Sequence, residues 1–312
     1  MNTEENIPKV SICCIAYNHE NFIRKALDGF LMQETDFLFE VLIHDDASTD
    51  ETAGIIREYE QKFPDIIKPI YQKENQWRKG IRGSSVHNFP RALGEYIALC
   101  EGDDYWTDPK KLQRQANFLD THKEYSLVAE NGLVLNTEKN TQYHFNDIEE
   151  CDIDIYQLLG KRKFPTASAM FRAKYIGEEF QSLKYKGDVI LWCYLASKGK
   201  VKYLPNISSV YSRGLHGMVL SSRNIEWAKM LEEWNEVLSG ILPKNINRGI
   251  LKQRNFNEYM KVFYLSTKKH DSKVAMLALK KCFEFQPLST VKMLVKFYAK
   301  KLRPAKAASI TA

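Results

Sequence analysis

Hydrophobic positions along the chain switch repeatedly between continuous runs and helical spacing. KVSICCIA (9–16) and LFEVLIHD (38–45) are short apolar runs rich in β-formers. Between them Phe22, Ile23, Ala26, Leu27, Phe30 and Leu31 recur at helical spacing, the mark of one buried helix face. A second helix is predicted after the second run, with Ser48 and Glu51 as a capping box and Ile55, Ile56 and Tyr59 as its apolar face. IIKPIYQ (66–72) and GEYIALCE (94–101) read as a third and a fourth strand. Thr107-Asp108-Pro109 opens the next helix, with Asp108 as N-cap and Pro109 at the first helical position. YSLVAENGLVLN (125–136), ASAMFR (167–172) and VKYLP (201–205) are further strand candidates, and DVILWCYLASKG (188–199) is an apolar helix closed by Gly199. From about residue 222 onward the pattern is helical, with no internal repeat or low-complexity linker in the chain.

Strands that alternate with helices and are apolar throughout predict an α/β fold, a Rossmann-like, mostly parallel sheet with helices on both faces. A sheet-forming domain is assigned to residues 1–220 and a helical region to 221–312. In such sheets ligands bind beyond the carboxyl ends of the strands. The first strand ends, after Ala16, in Tyr17-Asn18; the second ends in Asp45-Asp46 and the fourth in Glu101-Gly102-Asp103-Asp104. Three polar tips on one edge predict a site there.

Charge sharpens this picture only once it is located. The net charge is +6, but Lys292, Lys296, Lys300, Lys301, Arg303 and Lys306 all lie in residues 291–312, which hold no acid. Removing those six from the 45 lysines and arginines leaves 39, against 39 acids. A neutral body argues against nucleic acid as a partner, which needs a basic face. With no run of about 18 apolar residues, no membrane span is expected. MNTEENIPK carries no signal peptide, so the chain is expected in the cytoplasm. The six cysteines show no C-x-x-C spacing, and Cys13, Cys14 and Cys100 sit within apolar runs as small hydrophobes, which suits a reducing compartment.

Asp103-Asp104 is the sharpest chemical feature. Two adjacent carboxylates after a buried strand repel unless a positive charge joins them, and a divalent ion shared with substrate phosphates resolves the conflict. Asp45-Asp46 suits either a ribose or base contact or an ordinary strand-to-helix turn.

VSICCIAYNHENFI (10–23), EVLIHDDASTDET (40–52) and GEYIALCEGDDYWTDPKKL (94–112) together resemble the family-2 glycosyltransferases, whose catalytic domain has the glycosyltransferase A fold. KGDVILW (186–192) and VYSRGLHGM (210–218) match more loosely, so the resemblance covers roughly the first 220 residues. The resemblance implies that Tyr17, between Ala16 and Asn18, lines a nucleotide pocket, and that Asp46 contacts the base, most often uracil. Asp104 would hold a Mn2+ or Mg2+ bridging the diphosphate, with Asp103 against the ribose or the same ion. Glu101 departs from the family, where many relatives have Asp. Asp188 would be the general base, although by itself it also reads as a helix N-cap. His216 would reach the metal or diphosphate. The basic loop Lys73–Arg82, with Trp77, is either a donor clamp or solvated, and Arg91 is a phosphate candidate.

The resemblance implies an inverting transfer of one sugar from a nucleotide diphosphate donor, UDP most often, to a saccharide or lipid-linked saccharide. A nucleotidyltransferase would show a Gly-rich basic loop after the first strand, which Tyr17-Asn18-His19-Glu20 is not. A non-catalytic sugar-nucleotide-binding scaffold is the other alternative. In the tail, Val291, Leu294, Val295, Tyr298 and Leu302 are expected on one helical face with Lys292, Lys296 and Lys300 as a stripe. Such a helix over 289–306 either lies on an anionic membrane at the inner face of the cell or packs on the protein.

Overall fold

The computed structural model describes residues 7–81, 83–160, 162–214 and 224–301, with side chains to 297. The chain forms two compact units, Met1–Met218 with Ile241–Pro243, and Val219–Gly240 with Lys244–Ala312. In the first, β1 (Val10–Ala16), α1 (Ile23–Leu31), β2 (Phe39–Asp45), α2 (Thr52–Lys62), β3 (Ile67–Tyr71) and β4 (Tyr96–Leu99) follow in order. β5 (Tyr105–Trp106), α3 (Lys111–Thr121), β6 (Tyr125–Asn136), β7 (Thr141–His144), β8 (Cys151–Asp152) and α4 (Ile155–Leu159) come next. β9 (Met170–Arg172), α5 (Glu178–Gln181), α6 (Asp188–Lys198) and β10 (Lys200–Arg213) complete it.

Among the described residues ten strands form one sheet of order β3-β2-β1-β4-β9-β6-β10-β5, with β7 on β6 and β8 on β10. β3, β2, β1 and β4 are parallel neighbours; β9 then runs antiparallel between β4 and β6. This is the expected fold, a curled and mostly parallel sheet between helices. β1 is almost wholly apolar because both its faces are covered: every residue except Ile15 is buried. Val10, Ile12, Cys14 and Ala16 share one core with Ile23, Leu27 and Phe30 of α1 and Ile55 and Ile56 of α2. Each such buried aliphatic side chain contributes about 1.5–3 kcal/mol. On the other face Trp192 of the buried helix α6 packs edge-on against Phe164 and Phe171.

Three local expectations change. α2 begins at Thr52, not at a Ser48 capping box, because the Ser48 hydroxyl donates to Asp45 instead. α3 begins at Lys111, since the Asp108 carboxylate accepts from Lys110 N–H and from Arg114. VKYLP is only the start of β10, which runs 14 residues; its register shifts near Ile207 break the alternation that would have revealed it.

The second unit holds most of α7 (Ile225–Ile241), then α8 (Gly249–Lys268), α9 (Ser272–Phe285) and α10 (Pro287–Lys301). Ala228, Phe256, Tyr259, Phe263, Ala278, Cys282 and Met293 form its core. α10 packs through Met293, Leu294 and Phe297, with Thr290 buried beside them. Val291 and Val295, expected on the same face as Leu294, are exposed. Tyr298 and Leu302 lie outside the described side chains. Among the described residues no helix is long and apolar enough to cross a membrane.

Candidate active site

The tips of β1, β2 and β4 meet on one edge because the strands are parallel and in register: Ala16 pairs with Asp45 and Cys13 with Leu99. Past the first two tips the backbone enters the left-handed region, with Asn18 at φ 56° and Ala47 at φ 61°. Such residues cost about 1–3 kcal/mol each and persist where the surroundings hold them. Here crossed hydrogen bonds do so: Asn18 N–H donates to Ser48 Oγ (3.0 Å), and Thr49 N–H donates to Asn18 Oδ1 (2.8 Å). Ala16 is buried, its carbonyl accepting from Asp46 N–H at 2.9 Å, and Tyr17 is half-buried beside it.

Asp46 is buried and already engaged. Its Oδ1 accepts from Gln76 N–H (2.6 Å) and its Oδ2 from Trp77 N–H (3.0 Å). The basic loop is therefore tied to the tip of β2 by this carboxylate, and Lys79 in it pairs with Glu74. Arg82 and His216 lie outside the described residues. Arg91, the phosphate candidate, is already engaged: its two Nη atoms donate to Lys68 O (2.8 Å), Ile43 O and Asn88 Oδ1 (both 3.0 Å). It clamps β2 to β3.

The tip of β4 folds back over β1 through Gly102 N–H to Ile15 O (2.8 Å) and Asp104 N–H to Glu101 O (3.0 Å). A Cβ at 102 would stand 3.0 Å from both His19 Nδ1 and Ile23 Cδ1, so a larger residue there would have to push these side chains aside. This turn sends Asp104 inward, to 1% exposure. Its Oδ1 accepts from Ser212 N–H on β10 (2.8 Å), while Oδ2 is buried with no hydrogen-bond partner among the described residues. Asp103 lies 4.0 Å from His19 Nε2.

The charges here are out of balance. Burial, then Asp103 and Glu101, push the Asp104 carboxyl well above the usual range. Glu101 rises to about 8 through lost hydration, with Asp103 and then Asp188 adding to it. Asp188 is thus within electrostatic reach of Glu101 although 87 residues separate the two in sequence. Its helix starts after Gly187 with no side-chain cap, so the N-cap reading fails. The carboxylate turns sideways instead. Its Oδ2 accepts from Thr166 Oγ1 (2.9 Å), and Thr166 Oγ1 accepts from Arg162 Nη2 (2.6 Å). Arg162 stands 3.6 Å from Asp188 Oδ2 and 5.5 Å from the centre of the Tyr211 ring. Burial works against its charge, but Asp188, Tyr211, Glu101 and Asp104 together raise its pKa.

Arg162, Thr166 and Ser212 are the site residues missed in the sequence. They lie in an irregular segment and on an unrecognised strand, and only the P-T dipeptide before ASAMFR hinted at a turn. Among the described residues no three His, Cys, Asp or Glu side chains form a ready metal cage. Yet an orphaned buried Oδ2 beside two more carboxylates fits a hard cation that takes its remaining ligands from phosphate oxygens. A cavity lined by Pro8, Lys9, Leu93, Glu95, Arg172 and Lys174 lies at the amino ends of β1 and β4, away from these groups.

Comparison with known proteins matches residues 11–178 to the family model described as glycosyl transferase family 2. An uncharacterized protein of Mycobacterium tuberculosis is 37% identical over 210 residues, covering 67% of this chain and 60% of that protein's length. Staphylococcus aureus TarS in complex with UDP shares the fold at a TM-score of 0.60 and 17% identity, over 94% of this chain and 87% of that one. The mannosyltransferase PcManGT of Pyrobaculum calidifontis, in complex with GDP-Man and Mn2+, does so at 0.54 and 15%, over 95% and 81%.

Proposed function

The chain belongs to glycosyl transferase family 2, and on that premise we propose that it moves a single sugar from a nucleotide diphosphate sugar, UDP-linked, to a saccharide or lipid-linked saccharide hydroxyl, with inversion. Residues 1–220 are the proposed catalytic domain and 221–312 its helical appendage. The observation that carries the reading is that Arg162, 3.6 Å from Asp188, also feels the charges of Glu101 and Asp104, which places Asp188 beside the acids at the tip of β4.

Asp188 acts as general base. Thr166 and Arg162 occupy its Oδ2, so Oδ1, which has no hydrogen-bond partner among the described residues, takes the proton from the acceptor hydroxyl. The acceptor oxygen then bonds to the anomeric carbon as the bond from that carbon to the diphosphate breaks, and the electron pair leaves with the diphosphate. One displacement inverts the centre, and no enzyme nucleophile takes part. Asp104, with Asp103 beside it, would hold a Mn2+ or Mg2+, which would supply Lewis-acid stabilisation of the leaving group. Asp46 keeps lone pairs beyond those used by the loop, enough to accept the imino hydrogen of the base; Tyr17, with Ala16 and Asn18, lines the same pocket.

The test is a panel of nucleotide sugars assayed for transfer, with the anomeric configuration of the product read by NMR. Asp188→Asn should lower kcat by roughly 10²–10⁴ while UDP still binds. Normal turnover of that variant sinks the base assignment, and a retained anomeric configuration sinks the single displacement.

A further inference from the structure

The packing of α10 leaves a stripe that the fold does not use. With Met293, Leu294 and Phe297 turned into the helical core, Leu288, Val291 and Val295 line up at three- and four-residue spacing on the outward side. They are 80%, 49% and 64% exposed. Lys292 and Lys296 flank them one position on, and both are exposed. α9 has the same character: its outward face shows Met276, Leu277 and Phe283 among Lys273 and Lys280. None of these four lysines is ion-paired among the described residues. Glu284, the acid on that face of α9, is taken by Lys281, and α10 contains no acid.

We infer that the outward face of α9 and α10 docks on an anionic phospholipid surface. Two physical demands select this occupant. Exposed aliphatic side chains need an apolar partner, and unpaired lysines need an anionic one; a bilayer bearing anionic headgroups meets both at one depth, lysine stems reaching back to the headgroups from beside the apolar stripe. A second copy of the chain meets only the first. A two-fold contact of α10 on α10 would set Lys292 and Lys296 against their own copies, where like charges repel. A nucleic acid meets only the second demand. The inference goes beyond the transfer reaction and stands on the helical unit alone.

The test is co-sedimentation of the full chain with phosphatidylcholine vesicles, with and without phosphatidylglycerol. Binding is expected only with the anionic lipid and should weaken as salt rises. Replacing Lys292 and Lys296 with alanine should weaken it about fivefold per lysine. Val291→Ser with Val295→Ser should weaken it at every salt concentration. Thermal unfolding should stay unchanged in both variants, since these side chains are exposed. No binding, equal binding to neutral vesicles, or loss of a dimer by light scattering in the serine variant overturns the proposal. None of these readouts requires the sugar transfer to be correct.

Discussion

Thr166 stands between Arg162 and Asp188 as a relay of fixed direction: its Oγ1 accepts from Arg162 Nη2 at 2.6 Å and donates to Asp188 Oδ2 at 2.9 Å. One hydroxyl carries one proton, so the relay fixes which carboxylate oxygen is turned away from the acceptor. Thr166 is buried while Asp188 is about half exposed. The buried partner aims the exposed one.

Thr166→Val keeps the shape and deletes the relay. A hydrogen bond to a charged group is worth about 1.5–3 kcal/mol, so kcat should fall roughly 10- to 100-fold. The donor KM should change little, the melting temperature should fall by a few degrees, and Thr166→Ser should restore most of the rate. Steady-state kinetics of the three proteins decide it. A valine variant whose KM rises while kcat holds would place the residue in binding instead.

Asp104→Asn should move stability and donor binding in opposite directions. The amide oxygen can still accept from Ser212 N–H, while the buried like charge against Asp103 and Glu101 disappears. Without divalent ions the variant should melt higher than the parent by a few degrees. Calorimetric titration of UDP should show Mn2+-dependent tightening in the parent and none in the variant. A variant that keeps the Mn2+ effect removes Asp104 from the metal.

His44 should make the fold acid-sensitive. It lies buried in β2, stacked on His87 with ring centres 4.6 Å apart, and neither of its ring nitrogens has a hydrogen-bond partner among the described residues. Burial, and then His87, bring its pKa down from 6.5 to about 4, with Arg91 acting the same way and Asp46 opposing. The folded state thus binds fewer protons than the unfolded one between these values. Stability is fully present above pH 6.5 and is lost as pH falls toward 4, by on the order of 3 kcal/mol. Urea unfolding from pH 7 to 4 checks the slope, which His44→Gln should flatten.

Gly29→Ala probes the core away from the chemistry. A Cβ at 29 would stand 2.9 Å from Trp106 O and 3.0 Å from Trp106 N, backbone atoms that have no rotamer to yield. Overpacking of this kind costs about 1–3 kcal/mol, and alanine's better helix propensity recovers less than 1 kcal/mol of it. Chemical denaturation should report the loss. A variant as stable as the parent would mean that α1 and β5 sit farther apart than described.

The sheet and the strand tips were legible in the sequence because each rests on local periodicity. Apolar runs such as VSICCIA mark strands buried on both faces, and their parallel order brings Asp46 and Asp104 to one edge without further information. The Asp188 helix was equally plain, from Asp188 to Lys198. What Asp188 does there was not. Whether its carboxylate caps the helix or faces the acids depends on Thr166, which belongs to an irregular turn without a period to read. Arg91 shows the reverse: a cation close to the acid pair in sequence is committed to carbonyls of β2 and β3. On α10 the heptad-like pattern allowed one apolar face, and packing divided it into a buried side with Leu294 and an exposed side with Val291 and Val295. Patterns repeat along the chain and so appear in the sequence; the partner of one particular side chain is a matter of long-range closure, and only the folded structure decides it.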